Sequence, residues 1–338
     1  MFLDHFGLQS NPFGITADAR YLYFGQEHRD AISALYLSIL EGRGVCALIA
    51  NAGMGKTTLM RYLAARLKDK AATAFFTHPY RSRNDLMRDV LRRLGLQAKD
   101  ETEYTQMNRL QLHLRNLMQR KTKLVLIFDE VQALSYEAIE QIRLLSNLRS
   151  TNMNLLEVVL AGQPELEDTL QRPEMEALRQ RISVVARMRR FGDKDVDRYI
   201  RRRLLVAGRN ETLFDMNAVS AVTRISRGIP RSINHLCYKA MALSWADGEK
   251  QVTAQLVEEA ARDLDWSVLR SSEQPTTPQE PPESSGGSSD FSGSGSDSES
   301  PEDEGEHSET QKFAAAAAQS SMPTNIIQSN AGLAADAT

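Results

Sequence analysis

The loop ANAGMGKTT, at residues 50–58, carries the residue types that bind a nucleoside triphosphate. Such a ligand needs backbone N–H groups that point inward, a cation near its β and γ oxygens, and a hydroxyl that reaches Mg²⁺. Gly53 and Gly55 let the chain curl closely around an anion. Lys56 supplies the cation and Thr57 supplies the hydroxyl. The residues predicted to bind the nucleotide are Asn51, Ala52, Gly53, Met54, Gly55, Lys56, Thr57 and Thr58, with Thr57 also predicted to bind the metal.

One position of this loop departs from the pattern G-x-x-x-x-G-K-[ST], because Ala50 stands where the first glycine belongs. A helix cap followed by a surface lysine is therefore an alternative interpretation of the same residues. The segment after the loop is helical in pattern, and the positive N-terminal end of that helix would point at a bound phosphate. The loop alone leaves both interpretations open.

A second group of residues, in LVLIFDE at 124–130, favours the nucleotide interpretation. The apolar run predicts a buried strand that ends in Asp129 and Glu130. Asp129 would hold the Mg²⁺ shell, directly or through water, and Glu130 would polarise the attacking water. On its own this pair could be a solvated acidic turn. Ligands of a parallel sheet collect at the carboxyl ends of the strands, where the phosphate loop also lies, so we predict a site that binds MgATP and hydrolyses it.

The elements that must position these residues follow a regular alternation between about residue 30 and residue 190. The segments that predict strands are GVCALIA, ATAFFTH, LVLIFDE, LEVVLAG and RISVVARM. The segments that predict helices between them include RNDLMRDVLRRLG, LQLHLRNLMQRK and YEAIEQIRLLSNL. Strands that are apolar throughout and separated by helices are typical of a parallel sheet covered on both faces. We therefore predict an α/β fold with three αβα layers.

The strand pattern stops near Asp193, and a separate helical unit follows. Its predicted helices are DKDVDRYIRRRLLVAG, DMNAVSAVTRIS, IPRSINHLCYKAMALSWADG and TAQLVEEAARDLDW, each with a polar start or a glycine stop. We predict a nucleotide-binding domain at 1–190, the helical unit at 191–268 and a tail at 269–338. The tail is rich in Ser, Gly, Pro, Asp and Glu. This composition cannot bury enough apolar area to offset chain entropy, so we expect the tail to be disordered.

The net charge of −3 conceals an asymmetry along the chain. One of the 41 basic residues and twelve of the 44 acidic residues lie at 271–338, which leaves residues 1–270 with a net charge of +8. A basic body keeps an anionic partner such as DNA open. The helix RYIRRRLLVAGR could belong to such a surface or could simply be a solvated face. Its clustered arginines are Arg198, Arg201, Arg202 and Arg209.

The two cysteines, Cys46 and Cys237, lie in apolar patterns and predict buried, reduced thiols. The N-terminus lacks the basic start and apolar run of a signal peptide. No window approaches 18 apolar residues, so we expect no membrane span and a cytoplasmic protein.

Several ordered motifs together resemble a known family over roughly residues 1–265. They are FLDHFGLQSNPFGITADARYLYFGQEHRDAISAL, DEVQALSYEAIEQIRLLSNL, VVLAGQPELEDTLQRPEMEALRQRI and RGIPRSINHLC. With these motifs the chain resembles an AAA+ ATPase, and more narrowly the general secretion pathway protein A family and its transposition-ATPase relatives. The resemblance implies a P-loop AAA+ fold, in which the helical unit is the lid over the nucleotide.

The resemblance also implies roles for residues outside the two motifs. Phe24, Gly25 and His28 would lie against the adenine, although Phe24 could be plain core and His28 a surface residue. Gln163 corresponds to sensor 1, which orients the attacking water, and could otherwise be a strand-end turn residue. Arg231 corresponds to sensor 2, which reaches from the lid to the nucleotide.

Two further arginines lie where AAA+ proteins have their arginine finger, at the edge facing a neighbouring subunit. We favour Arg181 and place Arg179 second. A guanidinium inserted from the neighbour would stabilise charge on the transferred phosphoryl group. Either residue could instead be an ordinary surface residue in a salt bridge.

These observations predict an ATPase that requires ATP and Mg²⁺ and forms a nucleotide-dependent homo-oligomer. The function we favour is an assembly or remodelling factor of the secretion-ATPase type, whose protein partner the sequence does not name. The alternative is a DNA-binding, ATP-dependent regulator of the transposition type. A scaffold that binds nucleotide without hydrolysis is a third possibility, against which Asp129 and Glu130 count.

Overall fold

The computed structural model of the chain describes residues 1–14, 18–96, 102–150, 153–154 and 156–264. The predicted acidic tail at 269–338 lies outside these residues, as does the end of the predicted helical unit. Residues Met1–Ala261 form one compact unit.

A parallel sheet of five strands forms the centre of this unit. The strands of the chain are β1 (Val45–Ile49), β2 (Ala71–Phe76), β3 (Lys123–Phe128), β4 (Arg149–Ser150), β5 (Met153–Asn154), β6 (Leu156–Gly162) and β7 (Ile182–Arg187). The sheet has the order β2-β3-β6-β1-β7, while β4 and β5 pair with each other as a separate antiparallel pair. All neighbours in the five-stranded sheet run parallel, which confirms the predicted sheet.

The burial of each strand follows its position in the sheet. Every residue of β1 and β6 is buried, because these central strands are covered on both faces. The edge strand β7 alternates between partly buried and exposed side chains over most of its length. The continuous apolar runs that predicted strands therefore mark the middle of the sheet most strongly.

Helices surround the sheet and then continue beyond it. They are α1 (Phe2–His5), α2 (Gln26–Glu41), α3 (Lys56–Leu67), α4 (Arg83–Arg93), α5 (Glu103–Gln119), α6 (Tyr136–Leu145), α7 (Glu165–Gln171), α8 (Glu176–Arg179), α9 (Asp193–Val206), α10 (Met216–Ser226), α11 (Pro230–Ala246) and α12 (Ala254–Asp263). The four helices predicted after the sheet are present as α9 to α12. Helix α5 begins earlier than its predicted segment, because the Thr102 side chain accepts a hydrogen bond from the backbone N of Thr105 at 3.3 Å.

The sheet lies between two helical layers, as the αβα prediction requires. On one face, Val45, Ala47 and Ile49 of β1 join a core that includes residues of α4, α5, α6 and α7. Side chains alternate along a strand, so Cys46 and Leu48 point to the opposite face, and α2 and α3 pack against the sheet. The two layers hold the sheet and its carboxyl edge in a fixed position.

The N-terminal segment, residues 1–14, packs on the helices that follow the sheet. The buried guanidinium of Arg203 on α9 donates to the carbonyls of Pro12 and Gly14. At α11, the ring of Phe2 contacts the rings of Tyr238 and Trp245, with centroids 5.8 Å and 6.0 Å away. The segment therefore connects the start of the chain to α9 and α11.

No helix in the described part of the chain is long and apolar enough to cross a membrane.

Candidate active site

Most of the residues with a predicted chemical role lie at the carboxyl ends of the parallel strands. The phosphate loop follows β1, Asp129 and Glu130 follow β3, and Gln163 follows β6. These three strands are neighbours in the order β3-β6-β1 and run in the same direction, so their carboxyl ends lie side by side.

The phosphate loop has the backbone that its glycines allow. Gly53 and Gly55 have φ angles of +77° and +88°, a conformation that side chains other than glycine rarely adopt. A Cβ at Gly53 would lie 2.9 Å from Cβ of Arg231 and 3.2 Å from Cγ2 of Ile229. Helix α3 begins directly after Gly55, and its N–H groups face the loop. The loop and this helix end together have the geometry that is typical of an anion site.

Ala50 does not disturb this loop, although it replaces the first glycine of the pattern. It is not among the described residues with positive φ, so an alanine adopts its conformation without strain. Its N–H donates to the carbonyl of Gly162 at 3.1 Å, which extends the pairing of β1 with β6. A glycine is therefore not required at this position.

Lys56 is directed into the loop and only 4% exposed. Its Nζ donates to the carbonyls of Ala50 at 2.9 Å and Asn51 at 3.3 Å. Burial lowers the pKa of the Lys56 ammonium, and the nearby carboxylates Glu130 and Asp129 oppose this shift. The surface lysine of the alternative interpretation is thus not what the structure contains.

Thr57 and Asp129 form the candidate metal pair. The Thr57 hydroxyl donates to Oδ2 of Asp129 at 2.5 Å. Asp129 is 3% exposed, and burial raises the pKa of its carboxyl while the Thr57 hydrogen bond opposes that shift. Mg²⁺ binds hard oxygen ligands and commonly takes one or two from the protein and others from phosphate and water. A hydroxyl and a carboxylate beside a phosphate loop fit that ion.

Glu130 and Gln163 are also brought together. Nε2 of Gln163 donates to Oε2 of Glu130 at 3.3 Å, and both residues line the cavity beside the loop. Glu130 has a φ of +55°, and its N–H donates to Oδ1 of Asp129 at 3.0 Å.

Gln132 contacts both members of this pair and was not identified from the sequence. Its Nε2 donates to Oε2 of Glu130 at 2.6 Å, and its Oε1 accepts from the backbone N of Gln163 at 3.1 Å. Its only signal in the sequence is its place two residues after Glu130, and no pattern that we used assigns a role to that position.

A cavity of about 520 Å³ extends from the loop to the helices after the sheet. On the side away from the loop, its lining includes Tyr23, His28, Phe191, Tyr199 and Asn234. This aromatic wall with a few polar groups is typical of a site for a planar ring.

The predicted adenine contacts differ in their positions. His28 is 2% exposed and lines the cavity, and burial lowers the pKa of its imidazole to about 4. Gly25 borders the same wall, since a Cβ there would lie 3.7 Å from Nδ1 of His28. Phe24 instead packs against Tyr62 of α3, with ring centroids 4.7 Å apart, and is not among the described residues that line the cavity.

Arg231 approaches the loop from α11. Its backbone N donates to the carbonyl of Gly53 at 3.1 Å, and the residue lines the cavity with an exposed side chain. The start of α11 is thus in direct contact with the phosphate loop.

The two candidate finger arginines lie elsewhere and are not among the described residues lining this cavity. Nη1 of Arg179 donates to the carbonyls of Leu170 and Gln171 at 3.3 Å each. Nη1 of Arg181 is 3.5 Å from the carbonyl of Ser146. Neither residue completes the site of its own chain.

The chain is similar to known proteins in both sequence and fold. Residues 39–170 match the family of the AAA domain. Over 254 residues the chain is 35% identical to general secretion pathway protein A of Aeromonas hydrophila, and this match covers 75% of the chain. It covers 46% of that protein, so the chain spans about half the length of this relative.

Two solved structures have a similar fold at low sequence identity. One is the ORC2 protein of Aeropyrum pernix in its ADPNP-ADP complexes, with a TM-score of 0.60, 16% identity, and coverage of 76% of this chain and 73% of that one. The other is CDC6P of Pyrobaculum aerophilum, with a TM-score of 0.58, 17% identity, and coverage of 77% and 73%. These likenesses concern the fold alone. Residues 39–170 therefore match the AAA domain, within a longer region that is similar to general secretion pathway protein A.

Proposed function

We propose that the chain binds MgATP and hydrolyses it to ADP and phosphate. The observation that carries this proposal is the meeting of four groups at one sheet edge: the Lys56 ammonium, the Thr57–Asp129 pair, the Glu130 carboxylate and the Gln163 amide. Each group supplies one requirement of phosphoryl transfer to water, and a site that only binds nucleotide has no need of a carboxylate with a paired amide.

The phosphate loop and the cavity bind the nucleotide. The N–H groups of the loop and of the first turn of α3 surround the phosphates, and Lys56 exchanges its bonds to the carbonyls of Ala50 and Asn51 for bonds to phosphate oxygens. Thr57 and Asp129 would hold Mg²⁺. When bound, this ion neutralises charge on the phosphate oxygens. The aromatic wall around His28 receives the adenine.

Hydrolysis requires a water molecule oriented toward the terminal phosphate. Glu130 accepts a proton from this water as its oxygen attacks, and Gln163 orients the water and the carboxylate. The bond between the terminal phosphorus and the bridging oxygen breaks, so ADP leaves with that oxygen. The proton taken by Glu130 is released to solvent.

We also propose that the site is completed between subunits, and that residues 191–268 act as a lid. The positions of Arg179 and Arg181 outside their own cavity support a role at a neighbour's site. We further propose an assembly or remodelling role of the secretion type, and the name of the relative, general secretion pathway protein A, supports only its link to secretion.

The contacts of Arg201 on α9 and of Arg209, which follows this helix, do not favour the DNA-binding alternative. Arg201 pairs with Asp197 at 2.8 Å, and Arg209 donates to the carbonyl of Phe6. Turnover measured with and without duplex DNA distinguishes the alternatives, since a DNA-dependent regulator should be strongly stimulated.

The test of hydrolysis is Glu130→Gln, which keeps the shape of the side chain and removes its proton-accepting carboxylate. We expect ATP affinity to stay near that of the wild type, while the rate of phosphate release falls on the order of 10²-fold or more. Isothermal titration with MgATP and a phosphate-release assay measure the two quantities.

Glu140→Gln is the matched control, because Glu140 lies on α6 and pairs with Arg143 at 2.6 Å. It should change neither affinity nor turnover appreciably. Wild-type turnover in Glu130→Gln would contradict the assignment of the base, and the absence of MgATP binding by the wild type would contradict the proposed function.

A further inference from the structure

One oxygen of the Glu130 carboxylate accepts hydrogen bonds from two side-chain amides. Oε2 accepts from Nε2 of Gln132 at 2.6 Å and from Nε2 of Gln163 at 3.3 Å. The bond from Gln132 is the shorter of the two. Hydrogen bonds to an ionised acceptor are stronger than those between neutral groups, so Gln132 is a principal restraint on this carboxylate.

The contacts of Gln132 determine which way its amide points. Its oxygen faces the backbone N–H of Gln163, and its nitrogen faces the Glu130 carboxylate. The reverse orientation would oppose two acceptors on one side and two donors on the other. Gln132 therefore joins Gln163, at the end of β6, to Glu130, two residues after the end of β3.

The backbone at Gly162 and at Glu130 accommodates the two hydrogen bonds of the Gln132 side chain. A Cβ at Gly162 would lie 3.1 Å from Oε1 of Gln132 and 2.6 Å from Cδ2 of Leu166, so a side chain there would crowd the bridge. Glu130 has a φ of +55°, and the short turn Val131–Ala133 after it directs Gln132 back toward the carboxylate. A left-handed conformation is unfavourable for glutamate, and the amide hydrogen bonds help to stabilise it.

Gln132 acts on Glu130 from outside the cavity. Glu130 and Gln163 are among the described residues that line the cavity, and Gln132 is not. With Oε2 occupied by the two amides, Oε1 is the oxygen left to face an incoming water. A residue in this place can select the reactive oxygen without touching the substrate.

We propose that Gln132 is a positioning residue that holds the Glu130 carboxylate and the Gln163 amide in register for attack by water. This inference rests on the hydrolysis proposed above. Gln132 is expected to affect the rate of hydrolysis, whereas ATP affinity depends on the phosphate loop.

Two substitutions of Gln132 with different chemistry test the inference. Gln132→Met keeps the length and loses both hydrogen bonds, so kcat should fall on the order of 10- to 100-fold while ATP affinity stays near the wild-type value. Gln132→Glu keeps an acceptor for the N–H of Gln163 but sets a second carboxylate against Glu130. We expect its kcat to be lower still. If Gln132 served only to fill space or to hold Gln163, Gln132→Glu would retain more activity than Gln132→Met, which would overturn the inference.

A double-substitution cycle separates positioning from general damage. In the Glu130→Gln background, Gln132→Met should lower the residual rate little further, because the group that it positions is already inactive. An equal fall in both backgrounds would overturn the inference. Gln141→Met is the control for replacing a glutamine with methionine, since buried Gln141 on α6 contacts Sδ of Met87 at 3.8 Å, away from the site. Its kcat should stay within about twofold of the wild type.

The outcomes distinguish the inference from the function on which it rests. Wild-type turnover in Glu130→Gln, or no turnover in the wild type, would remove the proposed function. Impaired Glu130→Gln together with wild-type kcat in both Gln132 variants would remove the inference alone.

Discussion

His28 is a buried histidine whose ring is held neutral. It is 2% exposed, its ring lies 5.3 Å from that of Phe191, and its Nδ1 has no hydrogen-bond partner among the described residues. Burial lowers the pKa of the imidazole to about 4, and the Asp195 carboxylate opposes the shift. In the unfolded chain the imidazole is protonated as the pH falls through about 6.5. In the folded chain it is protonated only near pH 4.

We predict that this ring makes stability depend on pH in the mildly acidic range. Its contribution is present above about pH 6.5 and is lost as the pH falls toward 4, because the unfolded state then binds one more proton. Over this range the loss is on the order of 3 kcal/mol. His28→Phe keeps a ring beside Phe191 and should lack this component. Urea denaturation of both chains at several pH values measures it, and parallel curves would contradict the prediction.

The junction between β7 and α9 packs tightly against the turn before α11. Phe191 N–H donates to the carbonyl of Gly228 at 3.0 Å. Gly228 has a φ of +71°, and a Cβ there would lie 2.1 Å from the carbonyl oxygen of Phe191. Since α11 begins at Pro230 and Arg231 contacts the phosphate loop, this close approach sets where the helix meets the site.

We predict that Gly228→Ala lowers the free energy of unfolding by about 2 to 5 kcal/mol, from the left-handed backbone and the clash with Phe191 together. It should also weaken ATP binding, because the start of α11 must shift. Gly248→Ala is the matched control, with a φ of +74° but no described heavy atom within 4 Å of the added Cβ. We expect it to cost about 1 to 2 kcal/mol, from the backbone alone, and to leave ATP affinity unchanged. Thermal and urea unfolding measure both variants. An equal loss of stability in Gly228→Ala and Gly248→Ala would show that the contact with Phe191 is unimportant.

At the scale of the whole molecule, the described residues that line the cavity include Lys56, Glu130 and Arg231 but neither of the candidate finger arginines. Arg179 and Arg181 are turned toward backbone carbonyls near α7 and α6 of their own chain. Completion of the site therefore requires a second chain if either arginine takes part in hydrolysis.

We predict complementation between two inactive variants. Lys56→Ala should lose ATP affinity, since a charged hydrogen bond to phosphate contributes about 1.5 to 3 kcal/mol. Arg181→Ala should bind ATP but hydrolyse it up to about 10³-fold more slowly. In a mixture, an intact loop of one chain can pair with an intact finger of another, so phosphate release should exceed that of either variant alone.

Arg179→Ala, measured in the same way, decides between the two arginines. Sizing with and without nucleotide should show assembly that depends on ATP. Full activity in both single arginine variants, with no such assembly, would indicate a monomeric ATPase and contradict the shared site.

The sequence by itself determined the residue types and spacing of the phosphate loop and the order of the main elements. Gly53, Gly55, Lys56 and Thr57 are adjacent, so their geometry follows from local backbone preferences. Strands that must be buried on both faces carry continuous apolar runs, which made the central strands of the parallel sheet predictable. Asp129 and Glu130 could be assigned because they end such a run.

Only the tertiary structure decided the contacts between residues that are distant in sequence. The bridge from Gln132 to Gln163 joins residues 31 positions apart, and the contact of Arg203 with Pro12 joins residues 191 positions apart. Phe24 is predicted from its position to lie against the adenine, and only the structure shows that its ring packs on Tyr62. Such contacts depend on how whole layers pack, and no local pattern encodes them. The same reason explains why Gln132 carried no signal in the sequence, because its contacts exist only where the ends of β3 and β6 meet.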